Sequence, residues 1–488
     1  MSNIIDAFNR RFSTESEGSE MVGNGEGVAP EQNDSNVEIS PEGETLDASD
    51  TLEGQHAEAE SAEVDVDEAT QEHEAIEQTA EAVESFLVAS IEARQAGQYW
   101  SAQTAAMTER GLQAVVTASG GNGNFRVRQL SGENFSDRRD AESAMISFEN
   151  AVTDMLKNLW QKLKDMLKKI YRKVRDFFTK HFSAVGMLKK RAEAIKKKAQ
   201  NLDRVPGSKK ITFPNLANMH IKGAPPSADE VSSAMGNYTS MLETASSNKM
   251  ASKYEETLDK VTDAIDTDAD ADMSDASLTS IIDGVTTFMN ANPASSTNST
   301  EFVELVKKAV GSGANDVLKT TALMPGNVVM ATIGTAAGGN AQSGASKTLN
   351  DAVDILSNSR FVITNVSDKS PTIKTDKEVS PYTVAQIIDI ATQTVEFCET
   401  SLQFKNAYEK YEKYNDRFIA KMDKIANSRN GNDGSADQER DRTKLARAAS
   451  AYVRNNINWI KSINSHGVRT GSGGLNMCNA SLNAPRKD

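Results

Sequence analysis

"MLKNLWQKLKDMLKKIYRKVRDFFTKHF", residues 155–182, carries two patterns at once. Leu156, Leu163, Ile170 and Phe177 recur every seven residues; Trp160, Leu167 and Val174 form a second row, and Leu159 and Met166 a third. Three positions in seven make a continuous apolar stripe, the width of a helix buried along one side. The opposite face is almost all Lys and Arg. Residues 157–198 hold 15 bases against Asp165, Asp176 and Glu193, a net of +12. One long amphipathic, cationic helix therefore sets the fold class: mainly α, long helices forming a bundle.

Working outward, a helical block runs with breaks from near Asp140 to about Leu202, and an earlier one from Ser85 to Val116 ends at "SGGNGNF" (119–125). Residues 85–205 thus form a basic amphipathic helical region. Residues 206–379 read as a small α+β domain. It has β-like pieces at 210–213 and 219–222, helices at 227–246, 250–265, 277–291 and 300–311, and the strand-like runs "NVVMATIGT" and "RFVITNVS". Residues 380–488 read as a long antiparallel helical hairpin with a C-terminal tail. Ser380-Pro381 is the expected cap and first turn, "NSRNGNDGSADQ" the connection, and Gly467 the expected terminator.

The N-terminal part differs in kind. Residues 1–84 contain 24 Asp/Glu and only two strong bases, Arg10 and Arg11. The chain's net charge is −15, so residues 85–488, with 52 Lys/Arg and 45 Asp/Glu, carry +7. Apolar residues are isolated in the leader, and ordering costs ~1–2 kcal/mol per residue, so disorder over 1–84 is expected. "MSNIIDAFNRRF" lacks the apolar core of a signal peptide, and no run reaches the length of a membrane span.

Chemistry is scarce. Cys398 and Cys478 cannot make a disulfide framework or a zinc site and read as small buried side chains. "DTDADADMSDAS" (266–277) begins like a calcium loop. It has Ala271 where Gly is needed and Ser277 where a bidentate Glu belongs, so it reads as a polar loop capping the next helix. "GNAQSGASKT" (339–348) separates Lys347 from Gly344 by two residues, which misplaces the ammonium for a phosphate-cradling loop. His56, His73, His181, His220 and His466 show no paired metal spacing. No nucleophile turn appears, and neither an enzyme nor a cofactor is expected.

The basic face is the exception. Most charge runs are only solvated surface, but so dense a run of like charge repels itself unless something anionic neutralises it. Sequence-independent contact with phosphates of double-stranded DNA is expected from Lys162, Lys164, Lys168, Lys169, Arg172, Lys173, Arg175, Lys189, Lys190, Arg191, Lys196, Lys197 and Lys198. An anionic membrane surface is the alternative partner.

Four segments then carry a family resemblance: "FNRRFSTES" (8–16), "RRDAESAMISFENAVTDMLKNLWQKLKDMLKKIYRKVRDFF" (138–178), "LKKRAEAIKKKA" (188–199) and "KLARAASAYVRNNINWI" (444–460). In this order they resemble the internal head (inner-body) proteins of large phiKZ-type tailed bacteriophages. The resemblance implies a structural component inside the capsid, assembled as a precursor with other inner-core or capsid proteins. It implies trimming by the phage prohead protease, association with packaged DNA and, for some members, ejection into the host. A membrane-active or host-directed effector is the alternative role. The protease is expected to cut after Glu in Ser/Ala/Gly-x-Glu. Ala82-Val83-Glu84 fits, placing the cut before Ser85. Ser13-Thr14-Glu15, Ser61-Ala62-Glu63, Ala75-Ile76-Glu77 and Ser90-Ile91-Glu92 also match, and the composition boundary selects Glu84. The leader then reads as a propeptide that shields the basic body until it is removed.

Overall fold

The computed structural model describes residues 52–118, 137–202, 209–213, 219–266, 274–290, 302–310, 317–334, 348–366, 378–428 and 436–484. Its axis is the cationic helix, α3 (Arg138–Gln200), 63 residues without the expected breaks. The Asp137 carboxylate starts it by accepting from the backbone N–H groups of Arg139 and Asp140. At 1.5 Å per residue the helix is ~95 Å long. Leu156, Leu159, Leu163, Leu167, Ile170, Val174 and Phe177 are all buried, and His181, Ala184, Leu188, Ala192, Ile195 and Ala199 continue the stripe to its end.

Three other long helices cover that stripe: α1 (Leu52–Gln95), α9 (Val384–Ser428) and α10 (Ala436–Leu482). Contact registers give their directions. Against α3, Glu72 meets Lys169 while Asp65 meets Lys173, so α1 runs antiparallel. Asp423 meets Lys168 and Glu399 meets Lys189, so α9 is antiparallel too. Asn476 meets Arg191 and Asn483 meets Lys198, so α10 runs parallel to α3. The result is an antiparallel four-helix bundle, and α9–α10 is the expected hairpin.

Local expectations fail at both ends of that hairpin. Thr383, not Ser380, caps α9: its hydroxyl accepts from Gln386 N–H while the Gln386 side chain accepts from Thr383 N–H, a reciprocal capping box. Gly467 does not end α10. A Cβ there would overlap the Phe397 ring, and one at Gly473 or Gly474 would strike Met219 or Val231. Each helical glycine costs ~1 kcal/mol, offset here because bare backbone lets α10 lie directly against its neighbours.

The largest correction concerns the acidic leader. Residues 1–51 lie outside the described residues, but 52–84 are the first three quarters of α1, not a disordered prefix. Ala59, Ala62, Val66, Ala69, His73, Ala80, Val83, Leu87 and Ile91 are buried, at three- and four-residue steps broken once by a seven, where half-buried Ile76 sits. This is a heptad seam built from small residues. Each buried alanine supplies about one methyl, ~0.8 kcal/mol, so the composition looked too weak to fold. Cations on α3 and α10 supply the rest.

The middle segment also departs from a separate small domain. Helices α4 (Ala228–Ser246) and α5 (Asn248–Ile265) lie parallel to α9. Asp389 meets Ser232, and Arg417 meets Glu255 and Asp259. Tyr238 and Tyr254 are fully buried there, and Tyr254 donates to Asn415 of α9 at 2.7 Å. Helix α6 (Asp275–Asn290) and α8 (Leu349–Asn358) share the same core. The expected strands are present as β2 (Val328–Ile333) and β3 (Arg360–Asn365), joined by β1 (Val317–Thr320) in an antiparallel sheet of order β1-β2-β3. A second, smaller cluster sits between this sheet and α7 (Val303–Val310). Helix α2 (Ala102–Ala118) follows α1 and precedes α3 in the chain.

Candidate anion-binding surface

The thirteen basic residues expected to meet phosphate divide into two groups. Along the middle of α3 most are already neutralised within the chain. Lys164 is buried and paired with Asp423, which Lys168 also reaches at 3.1 Å. Burial would raise the Asp423 carboxyl, but hydrogen bonds from these two lysines hold it below the usual carboxylate range. Lys169 pairs with Glu72 at 2.6 Å, Lys173 with Asp65 at 2.9 Å, Arg175 with Glu412, and Lys189 with Glu399 at 2.9 Å. Lys162 is exposed but engaged.

The end of α3 is different. Arg191 and Lys198 meet only neutral amides in described contacts, donating to Asn476 and Asn483. Arg172, Lys190 and Lys197 are exposed and Lys196 half-buried, and among the described residues none of the four meets a carboxylate. Eighteen residues is five turns and seven is close to two, so Arg172, Lys190 and Lys197 fall on one line of the helix. Lys190 and Lys197 are ~10 Å apart along it. These four cations are what the bundle leaves for an outside anion.

A second set of cations was not expected from sequence. Against α1, α10 presents Lys444, Arg447, Arg454, Lys461 and Arg469. Glu84 takes Lys444 at 3.4 Å and Arg447 at 3.0 Å. Arg454 holds Glu77, reaches Glu74 at 3.6 Å and touches the His73 ring nitrogen at 3.0 Å. Lys461 holds Asp67 and reaches Glu63 at 3.8 Å; Arg469 takes Glu60 at 3.1 Å and Glu63 at 2.7 Å. Arg447, Arg454 and Lys461 are seven residues apart, as are Glu84, Glu77, Thr70 and Glu63 on α1, where Thr70 meets Asn458. The signal was legible as two charge series in matching heptads, but their pairing is a tertiary fact.

A family model of phiKZ-like phage internal head proteins matches residues 55–480. The chain belongs to this family. It is therefore a bacteriophage structural protein of the capsid interior, as the sequence resemblance implied. The match starts inside α1, so the acidic helix is part of the family's own domain. No curated protein and no solved structure matches the chain.

In this internal head protein the bond expected to be cut, Glu84–Ser85, lies in mid-helix. Ala82 is half-buried, Val83 and Glu84 are buried, and the Ser85 hydroxyl donates to the Ala82 carbonyl at 2.6 Å. Proteases act preferentially at exposed loop tips, and a continuous ion-paired helix is the opposite context. The alternative sites Glu63, Glu77 and Glu92 lie in the same helix, whereas Glu15 lies outside the described residues.

The remaining titratable groups point to packing. His73 and His181 are fully buried, and burial, assisted at His73 by Arg454, pushes both imidazoles down to about 3. Burial, then Arg469 and Lys461, lowers His466 to about 4. Burial lifts the Cys398 and Cys478 thiols to about 12, as suits small core side chains. Among the described residues no group of His, Cys, Asp or Glu is placed to hold a metal, and no helix is long and apolar enough to cross a membrane. The calcium-like and phosphate-like loops lie mostly outside the described residues. At their ends Ser274 caps α6 and Thr348 caps α8.

Proposed function

We propose that this internal head protein binds packaged double-stranded DNA without sequence preference, through the open end of α3. The observation that carries the reading is the unpaired line Arg172, Lys190, Lys197 with Lys196 beside it, in a bundle that otherwise matches cation to carboxylate. Four phosphate contacts give a slope of roughly −3.6 in log affinity against log salt. The apolar stripe of α3 argues against a membrane-active or host-directed effector, because α1, α9 and α10 cover it and no apolar face is left for a bilayer.

The reading includes maturation by the prohead protease. On the folded chain the cut falls N-terminal to α1, where Ser13-Thr14-Glu15 offers one fitting sequence, and Glu84–Ser85 is cut only when α1 is off the bundle. Other inner-core or capsid proteins are the expected assembly partners, ejection with the genome is one possible fate, and no catalytic step is required. Mass spectrometry of purified particles tests location and processing together. Peptides covering 52–84 should be abundant, and their absence beside a peptide beginning at Ser85 would overturn the upstream cut. A fluorescence titration of the full chain with duplex DNA at several salt concentrations tests binding. Lys190→Glu, Lys196→Glu and Lys197→Glu together should abolish most of the salt slope.

A further inference from the structure

Helix α1 is held in two ways along its length. Beyond residue 84 it is anchored by large apolar side chains, buried Leu87 and Ile91, and by Arg94 and Ser90 on the buried carboxylate of Glu149 at 2.9 and 3.1 Å. Before residue 84 its seam is mainly alanine and valine, and its other contacts are ionic. Seven cations face it there: Lys169 and Lys173 of α3, and Lys444, Arg447, Arg454, Lys461 and Arg469 of α10. Several of its carboxylates stand half in solvent: Glu60 is 46% exposed, Asp65 48%, Asp67 52%, Glu72 55% and Glu74 48%. Exposed pairs of this kind are screened by salt and open to competition, whereas an apolar anchor is neither.

We propose that residues 52–84 form an electrostatic latch over a second polyanion-binding surface on α3 and α10, and that the DNA backbone competes with the latch for it. This rests on the reading that the protein binds DNA, and it adds a surface that the α3 end does not supply. The latch presents carboxylates to the groove as a strand presents phosphates. When it lifts, the hinge falls where apolar anchoring begins, at residues 84–87. DNA-rich surroundings then do two things at once: they add cations to the DNA contact, and they unwind the Glu84–Ser85 bond from its ion pairs. The protease's access to that bond becomes a readout of DNA occupancy.

The test uses the full chain carrying Thr70→Cys and Asn458→Cys, a pair whose native side chains meet across the latch, joined by a short bismaleimide or left reduced. Duplex DNA affinity is measured from low to high salt, and hydrogen exchange is followed by mass spectrometry with and without DNA. The unlinked protein should bind with a slope steeper than the linked one by ~0.9 for each latch cation engaged, three or more units in all. DNA should deprotect amides in 60–84 while 87–95 stay protected. A second variant, Asp65→Lys with Glu72→Lys, weakens the latch without a crosslink and should raise DNA affinity at low salt. Identical slopes for linked and unlinked protein, with 60–84 unchanged by DNA, would overturn the latch and leave binding through the end of α3 standing. Loss of all DNA binding on Lys190→Glu, Lys196→Glu and Lys197→Glu, with no latch response, would also overturn it. Absence of DNA binding by every form would overturn both readings.

Discussion

Replacing Glu84 with alanine separates two roles for one carboxylate. If Glu84 is a recognition residue on an open strand, its loss affects processing and leaves the fold alone. In the structure it is 5% exposed and neutralises Lys444, 25% exposed, and Arg447, 14% exposed. Removing one partner of a buried pair costs ~3–5 kcal/mol when the other charge is left without solvent. Both bases keep some access to water, so the expected loss is ~2–3 kcal/mol. Glu84→Gln keeps an acceptor and should cost about half as much. Urea unfolding followed by circular dichroism measures the loss, and a double-mutant cycle with Arg447→Met isolates the pair. A coupling of ~1 kcal/mol or more is expected, since contacting residues couple by 0.5–3 kcal/mol. Glu84→Ala within ~0.5 kcal/mol of the parent, and additive with Arg447→Met, would refute the reasoning that α1 is clamped at this point. In particles the same variant should still be trimmed upstream; persistence of the whole leader would mean that Glu84 is the residue the protease reads.

Gly467→Ala should destabilise by ~1–3 kcal/mol, because the added methyl meets the Phe397 ring, while Gly186→Ala on α3, with open space around it, should stabilise by ~0.5–1 kcal/mol; thermal melts of the pair check the sign of each. Acidification should weaken the fold before the carboxylates titrate. His73 and His181 stay neutral to about 3 when folded but take a proton near 6.5 when unfolded. Their stabilisation is complete above pH 6.5 and is lost as pH falls below it, by up to ~1.4 kcal/mol per pH unit for each ring, so His181→Phe should flatten the profile between pH 6.5 and 4 in urea titrations. Lys164→Met should destabilise far more than Lys190→Met, since only Lys164 is buried against a carboxylate; parallel urea titrations compare them.

The parts of this fold legible in sequence are those where the apolar signal is strong and local. Leu156, Leu163, Ile170 and Phe177 announce α3, and Tyr408, Tyr411 and Phe418 announce α9, because large side chains at helical spacing leave few alternatives. The strands at 328–333 and 360–365 were legible through Val, Ile and Thr. Helix α1 was not, although its three-four spacing is regular, because alanine contributes too little to separate a seam from a polar run. Gly467 misled for the opposite reason. Its local preference for a helix end is real, and the Phe397 ring lying against it is invisible from one strand of sequence. The basic residues were seen as a face but not as a set of pairs. Counting charge along α3 cannot reveal that Asp65, Glu72, Glu399, Glu412 and Asp423, up to 255 positions away, neutralise much of it.

Where the chain is trimmed therefore decides the electrostatic character of the mature protein, and the two outcomes have opposite signs. Residues 1–51 hold 12 acids and two arginines, so losing them moves the net charge only from −15 to −5. Losing 52–84 as well removes 12 more acids and leaves +7. The first product keeps its heptad of ion pairs and offers DNA a short cationic line at the end of α3. The second exposes Arg454 and Lys461, both under 10% exposed with α1 in place, beside an apolar seam that has lost its cover. Such a groove stays in water only if something polyanionic fills it. A +7 product recovered without DNA should therefore be less stable than the −5 product and regain stability on duplex DNA at low salt. The −5 product should melt at nearly the same temperature with or without DNA.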